Sequence, residues 1–324
     1  MIDIWLPLAG GLALLIVGGD LLVRGAVRVA EQLGISPLVI GLTLVGFGTS
    51  TPELVTSVQA ALSGAPGIAW GNIVGSNIAN ILLIAGASAL LFPIAVTEPA
   101  LRRDAMVMLA VAAVFAGLAA FSPMGRGIGA AFVLALAVYV ILTIRNDRAA
   151  TAGALHDKQA ALAALDPALA PLPARPGGLL VPLLIALGGL ALVIGGGAAL
   201  VRGAVALAQA LAIPETVIGL TIVAVGTSMP ELVTSVMAAI RRQGDVAFGN
   251  IVGSNIVNIL GIGGVTALIA PVPVPAAIAG FDAPVMLAVT VMMVLLAATG
   301  LRVSRREGAL LLTGYVAYLV VLWP

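Results

Sequence analysis

GLTLVGFGTSTPELVTSVQAAL, residues 41–62, is written a second time as GLTIVAVGTSMPELVTSVMAAI, residues 219–240, with 16 of 22 positions identical. A second pair keeps the same offset of 178 residues: GNIVGSNIANIL at 71–82 and GNIVGSNIVNIL at 249–260 agree at 11 of 12 positions. The weaker VRGAV match at 23 and 201 falls in that register too. Self-similarity this extended marks a duplicated chain and makes the repeat the first clue to architecture.

Around these segments the composition fixes the solvent. Of 324 residues 61% are hydrophobic and 9% charged, and the mean hydropathy is +1.19. A soluble domain carries roughly 25% charge, so a soluble globular enzyme is excluded and a polytopic membrane protein expected. A net charge of +1 and 4% aromatics offer neither a nucleic-acid surface nor a stacking platform. The absence of cysteine removes disulfides, thiolate metal sites and cysteine nucleophiles.

A bilayer core asks for about 20 apolar residues per helix. Ten such stretches are expected, near residues 3–23, 36–62, 68–92, 104–121, 127–144, 179–203, 214–240, 247–270, 283–300 and 307–323. β-Barrel alternation is absent, so the fold class is an all-α polytopic membrane protein. Loops after the first, third, fifth, seventh and ninth helices hold 13 of the 15 basic residues, leaving Arg126 and Arg202 outside. By the positive-inside bias those loops are cytoplasmic and both termini non-cytoplasmic. The first helix reads as an uncleaved signal anchor. Five helices per half is an odd number, so residues 1–144 and 179–324 are expected as inverted repeats, with 145–178 as a cytoplasmic linker. His156, the sole histidine, lies in that linker.

Glu53 and Glu231 fall mid-span, where an acid costs about 2.5–3.5 kcal/mol on insertion scales. No Lys or Arg lies at comparable depth, which leaves protonation or a bound cation. Each acid follows a proline, in Gly48-Thr49-Ser50-Thr51-Pro52-Glu53 and Gly226-Thr227-Ser228-Met229-Pro230-Glu231. Proline gives no N–H to the carbonyl four residues back, so a kink should loosen backbone oxygens one turn before the acid. Thr49, Ser50, Thr227 and Ser228 share a helix face with their glutamates. Carboxylates, hydroxyls and carbonyls form an oxygen-only set suited to hard cations such as Ca²⁺ and Na⁺. The next helix of each half carries Asn72, Ser76 and Asn80, or Asn250, Ser254 and Asn258, at intervals of four. Ser76, Asn80, Ser254 and Asn258 read as functional. Asn72, Asn77, Asn250 and Asn255 are open to a structural or a functional reading, since amides also glue helices together. Asp20 and Arg24 read as a local interfacial pair.

With GTSxPE and GNIVGSNIxN each occurring twice, the chain resembles the Ca²⁺/cation antiporter superfamily, specifically its prokaryotic sodium/calcium exchangers, over its whole length. The resemblance implies that Glu53, Glu231 and the carbonyls of Thr49 and Thr227 hold Ca²⁺. It implies flanking Na⁺ sites at Ser50, Ser76, Ser228 and Ser254 with the carbonyls of Gly46 and Ala224, and Asn80 and Asn258 lining the centre. Some relatives place an acid where this chain has Asn80 or Asn258, and potassium-dependent exchangers use one in the second repeat. Two amides here argue against K⁺ co-transport. The expectation is therefore a Na⁺/Ca²⁺ antiporter of the plasma (inner) membrane working by alternating access. It has no cofactor, no nucleic-acid partner and no evident obligate protein partner, only the lipid bilayer and its transported ions. Ca²⁺/H⁺ antiport, with protonated Glu53 and Glu231 as the neutral return state, is the alternative.

Competing classes fit less well. A channel usually wants a symmetric ring of filters, an intramembrane protease lacks HExxH, and a structural subunit needs no duplicated acids. The simplest moving part is the pair of glycine-rich first and sixth helices, carrying Gly10, Gly11, Gly18 and Gly19 and Gly188, Gly189, Gly195, Gly196 and Gly197.

Overall fold

The computed structural model describes residues 2–32, 50–96, 100–163, 178–240, 242 and 244–323. Apolar runs with few breakers become helices: α1 (Ile2–Gln32), α2 (Thr51–Leu62), α3 (Pro66–Leu91), α4 (Leu101–Phe121), α5 (Arg126–Ala163) and α6 (Leu180–Leu211). The second half continues with α7 (Glu215–Thr227), α8 (Met229–Ile240), α9 (residues 244–269), α10 (Ile278–Ala298) and α11 (Arg305–Leu322). Ile94–Ala95 and Arg302–Val303 form a two-residue antiparallel pair, β1 and β2.

By length and composition seven helices among the described residues are able to cross a membrane, or eight where the bent pair α7 and α8 counts as one span. The chain is an all-helical membrane protein. Of the ten expected spans, 36–62 is described only from Ser50 onward, and α11 opens on Arg305, Arg306 and Glu307, which lowers its apolar character.

Several boundaries differ from expectation for local reasons. Helix α1 runs past residue 23 to Gln32 because RGAVRVAEQ is polar yet holds only one glycine and no proline, and such residues extend a helix readily. Helix α5 likewise passes residue 144 to Ala163. The first part of the expected linker is thus helical, as its alanines favour; residues 164–177 lie outside the described residues.

Two helices are enclosed by the rest. Of the apolar stretch of α3, 83% is buried, and of α9's, 72%, against 28% in α1 and 33% in α6. Trp70 of α3 anchors the larger core cluster, packing at a tilt of 42° on Phe115 of α4 with centroids 5.9 Å apart and donating to the Val272 carbonyl at 3.1 Å. Each enclosed helix widens into π-helical turns, at Asn80–Ala85 and Val257–Gly263, positions equivalent under the 178-residue offset. Such turns recur at functional sites. The α3 end packs on α11 through Gly86 and Gly308, and the α9 end on α5 through Gly264 and Gly129.

Helices α1 and α6 form the second layer. Gly11 lies against Gly196 and Gly18 against Gly189, so the two equivalent helices run antiparallel. Gly25 and Gly203 extend the seam onto Pro182, Ala186, Ile4 and Leu8. Gly10, Gly188 and Gly195 take no part in it: a Cβ there meets nothing within 4 Å among the described residues. The pair leans on α2. Gly197 sits under Val55, Gln59 donates to the Ile194 carbonyl at 3.2 Å, and Gly19 approaches Pro52. Val233, the residue of α8 equivalent to Val55, is 56% exposed.

Candidate functional site

In the second repeat the Ser-x-Pro-Glu segment breaks its helix at the serine, and in the first α2 begins directly after Ser50. Ser50 (φ −86°, ψ 7°) and Ser228 (φ −83°, ψ 10°) adopt the same conformation, and α8 departs from α7 by 48°. Pro230, with no N–H for the Gly226 carbonyl, gives the reason. The expected kink is present in the second copy; in the first, Thr49 and the residues before it back to 33 lie outside the described residues.

Across the break the two halves exchange hydrogen bonds. Ser228 Oγ donates to Glu53 Oε1 at 2.9 Å, and Ser50 Oγ to Glu231 Oε1 at 3.1 Å. Each acid is therefore held by the serine preceding the other acid, a reciprocal arrangement under the 178-residue offset. Glu53 and Glu231 are 1% and 2% exposed, and each lies within electrostatic reach of the other. Ser76 of α3 reaches the Ala224 carbonyl at 3.5 Å. Asn80 and Asn258 are buried with both amide atoms lacking a hydrogen-bond partner among the described residues. Oε2 of Glu53 is in the same condition. Buried polar atoms are seldom left so, and each such atom calls for water or an ion.

Ten of the twelve expected residues are described, and all ten are buried: Ser50, Glu53, Ser76, Asn80, Ala224, Thr227, Ser228, Glu231, Ser254 and Asn258. Gly46 and Thr49 lie outside the described residues. The donor set is hard oxygen, with no convergent group of three His, Cys, Asp or Glu among the described residues. Two carboxylates, hydroxyls and amides suit Ca²⁺ or Na⁺ better than a transition metal.

A supporting layer was only half visible in the sequence. Asn72 donates to the Glu53 carbonyl at 3.2 Å and to Ser57 at 2.9 Å, and Asn250 to the Glu231 carbonyl at 3.3 Å and Ser235 at 2.8 Å. Thr227 donates to Asn72 Oδ1 at 2.9 Å, with the Val223 and Ala224 carbonyls at 3.0 and 3.3 Å as alternative acceptors. Ser57 and Ser235 were missed, although both stand in the repeated ELVTSV. Asn77 and Asn255 bond the carbonyls four residues back on their own helices, Ile73 and Ile251, a local structural role. Asp20 and Arg24 form the expected exposed pair at 2.8 Å.

A second set of acids escaped the sequence reading entirely. Asp282 accepts from the Tyr318 hydroxyl at 2.9 Å, while Asp104 accepts from Tyr139 at 3.0 Å and pairs with Arg103 at 2.8 Å. DAMVML at 104–109 and DAPVML at 282–287 keep the 178-residue offset, which was the available signal.

Comparison with known proteins agrees with this geometry. The family model for "Sodium/calcium exchanger protein" matches residues 4–145 and 181–323. The sodium/calcium exchanger MaX1 of Methanosarcina acetivorans is 37% identical, covering 97% of this chain and 96% of its own. The inner membrane protein YrbG of Escherichia coli is 36% identical over 97% of this chain and 94% of its own. A solved structure of the sodium-calcium exchanger NCX_Mj, soaked with Na⁺ and Ca²⁺, matches with a TM-score of 0.65 at 31% identity over 98% of each chain. The chain is a multi-pass membrane transporter of the cation antiport kind. It belongs to the sodium/calcium exchanger family.

Proposed function

We propose that the protein exchanges Na⁺ for Ca²⁺ by alternating access at a site shared by two inverted five-helix repeats. The observation that carries this reading is the reciprocal pair Ser228–Glu53 and Ser50–Glu231, which joins one acid from each repeat in a single oxygen-lined shell. The antiparallel seam of the equivalent helices α1 and α6 supports the inversion. Glu53 and Glu231 hold Ca²⁺ with the carbonyls of Thr49 and Thr227. Ser50, Ser76, Ser228 and Ser254, with the carbonyls of Gly46 and Ala224, supply the Na⁺ positions, and Asn80 and Asn258 face the centre.

Coupling follows from charge. Two carboxylates about 5 Å apart repel by roughly 3 kcal/mol at an effective dielectric of about 20, before desolvation. A site without cargo resists occlusion, whereas Ca²⁺ or several Na⁺ ions cancel the charge and allow it. Either cargo crosses, the empty carrier stalls, and the result is exchange rather than leak. The moving part is the α1–α6 pair. Its lean onto α2, with Val233 of α8 left exposed, is one of two such poses, and the opposite lean opens the site to the other side.

The test is ⁴⁵Ca²⁺ uptake into proteoliposomes under an outward Na⁺ gradient or an outward H⁺ gradient. Sodium-driven uptake supports the reading. Proton-driven uptake that ignores Na⁺ replaces it with Ca²⁺/H⁺ antiport, and uptake without any gradient of a counter-ion removes exchange altogether.

A further inference from the structure

One face of the molecule gathers three segments that are far apart in the chain. Strand β1 pairs with β2, Val96 donates to the Leu301 carbonyl at 2.9 Å, and Gly244 packs directly on Ala95. These contacts bring Arg242 and Arg305 to the ring of Phe92, with guanidinium carbons 5.4 Å and 5.8 Å from its centroid. Arg305 also donates to the Leu91 carbonyl at 3.0 Å. Arg302 and Arg306 stand beside them, and all four arginines are exposed. None of the four forms an ion pair within 4 Å among the described residues, although Glu307 lies within electrostatic reach of Arg302. Glu307, in the same segment, is taken up by the capping box with Ser304 and by the Thr299 hydroxyl.

The duplicated architecture supplies an internal control. Subtracting 178 from Arg242, Arg302, Arg305 and Arg306 gives Gly64, Met124, Gly127 and Ile128, so the equivalent positions of the first half carry no charge. Gly64 has φ 74°, and Arg242 holds the same left-handed conformation with φ 60°. Glycine takes that region freely, whereas a side chain there is disfavoured. A charge that merely orients the chain in the membrane requires neither a left-handed backbone nor an aromatic ring shared by two guanidiniums. These residues sit where α3, α8 and α10 end and α9 and α11 begin, at one border of the apolar spans, and Leu91, Ile240 and Leu301 beside them are exposed.

We infer that this face binds the phosphate headgroup of an anionic phospholipid. Arg242 and Arg305 grip the phosphate from the two positions around Phe92, Arg302 and Arg306 add positive potential, and the acyl chains lie along Leu91, Ile240 and Leu301. Guanidinium forks match phosphate oxygens geometrically, and the adjoining exposed leucines favour a lipid over a free anion. Because Gly244 opens α9, lipid bound here steadies the helix that carries Ser254 and Asn258.

The experiment titrates delipidated full-length protein in detergent with phosphatidylglycerol, phosphatidylcholine or glycerol 3-phosphate while following the thermal unfolding midpoint. Wild type should gain stability saturably with phosphatidylglycerol alone. Arg242→Gly should start at or above the wild-type midpoint, since glycine is at ease at that φ. It should nevertheless need about fivefold more phosphatidylglycerol for half its effect, the scale of one cation at an anionic surface. Arg305→Gln, whose backbone is ordinary helix, should show the same loss of lipid sensitivity. Wild-type responses in both variants overturn the inference. So does an equal response to phosphatidylcholine, which indicates acyl contact only, or to glycerol 3-phosphate, which indicates a free-anion site.

Discussion

Adding one methyl group to Gly189 should leave the protein less stable than adding it to the preceding Gly188. A Cβ on Gly189 lands 2.4 Å from the Leu22 nitrogen and 2.7 Å from the Gly18 carbonyl oxygen. The first contact is 0.6 Å inside the 3.0 Å that such atoms tolerate, and both partners are α1 backbone, which cannot rotate away. Helices α1 and α6 must therefore separate, loosening Gly11 on Gly196 as well. Overpacking of this kind costs about 1–3 kcal/mol. Gly188 faces open space among the described residues, so Gly188→Ala realises only the helix-propensity gain of about 1 kcal/mol. The two variants, one residue apart, should then differ by about 1–3 kcal/mol, since both share the propensity gain. Thermal unfolding in one detergent, with Gly11→Ala and Gly10→Ala as the equivalent pair in the first half, reads the difference directly. Equal midpoints for Gly188→Ala and Gly189→Ala would refute the close seam on which the moving layer is built.

Further expectations follow from other contacts. Val55→Cys with Gly197→Cys, in a chain that has no cysteine of its own, should cross-link readily because a Gly197 Cβ sits 2.8 Å from a Val55 methyl; oxidation should stop exchange and reductant restore it. Gly19→Cys with Val233→Cys should cross-link only as the α1–α6 pair visits the opposite lean, so its rate should depend on the ions present; a rate matching the first pair in all conditions counts against two poses. Tyr318→Phe removes a hydrogen bond to buried Asp282 and should cost about 1–3 kcal/mol in thermal unfolding while leaving the Na⁺ dependence of uptake unchanged. Ser304→Ala should cost about 1 kcal/mol by removing the capping box of α11, and Ser304→Asp should recover most of it.

Much of the site was legible because the chain carries its own second copy. Glu53 and Glu231 stood out as acids at mid-span without basic partners, and the hydroxyls one turn before them followed from helical spacing. What spacing along one helix does not reveal is contact across the repeat. That Ser50 serves Glu231 rather than Glu53 follows only from the way α2 and α8 meet. Ser57 and Ser235 were overlooked because serine in a membrane helix has an ordinary packing use, so nothing but their repeat register set them apart. The Asp104 and Asp282 pairs lie near helix ends, where an acid carries little apparent cost. In the fold, the ends of α1 and α5 were misplaced because falling hydropathy marks the edge of a bilayer rather than the end of a helix. The glycines of α1 and α6 were recognised as important, yet periodicity alone did not separate Gly11, Gly18, Gly189 and Gly196, which touch, from Gly10, Gly188 and Gly195, which do not. The β1–β2 pair, two residues on each side, is too short to leave any pattern.

Exchange by this mechanism requires Glu53 and Glu231 to share a single cation site. Equilibrium ⁴⁵Ca²⁺ binding to purified protein, with Na⁺ as competitor, tests it most directly in Glu53→Gln, Glu231→Gln and the double variant. Each single change should weaken Ca²⁺ binding by at least about 10–100-fold, the range already lost when only a partner of a metal ligand is changed. The double variant's loss should depart from the sum of the two single losses, because residues that share one partner are coupled. Retained, Na⁺-displaceable Ca²⁺ binding in either single variant, or two losses that simply add, would contradict a shared site.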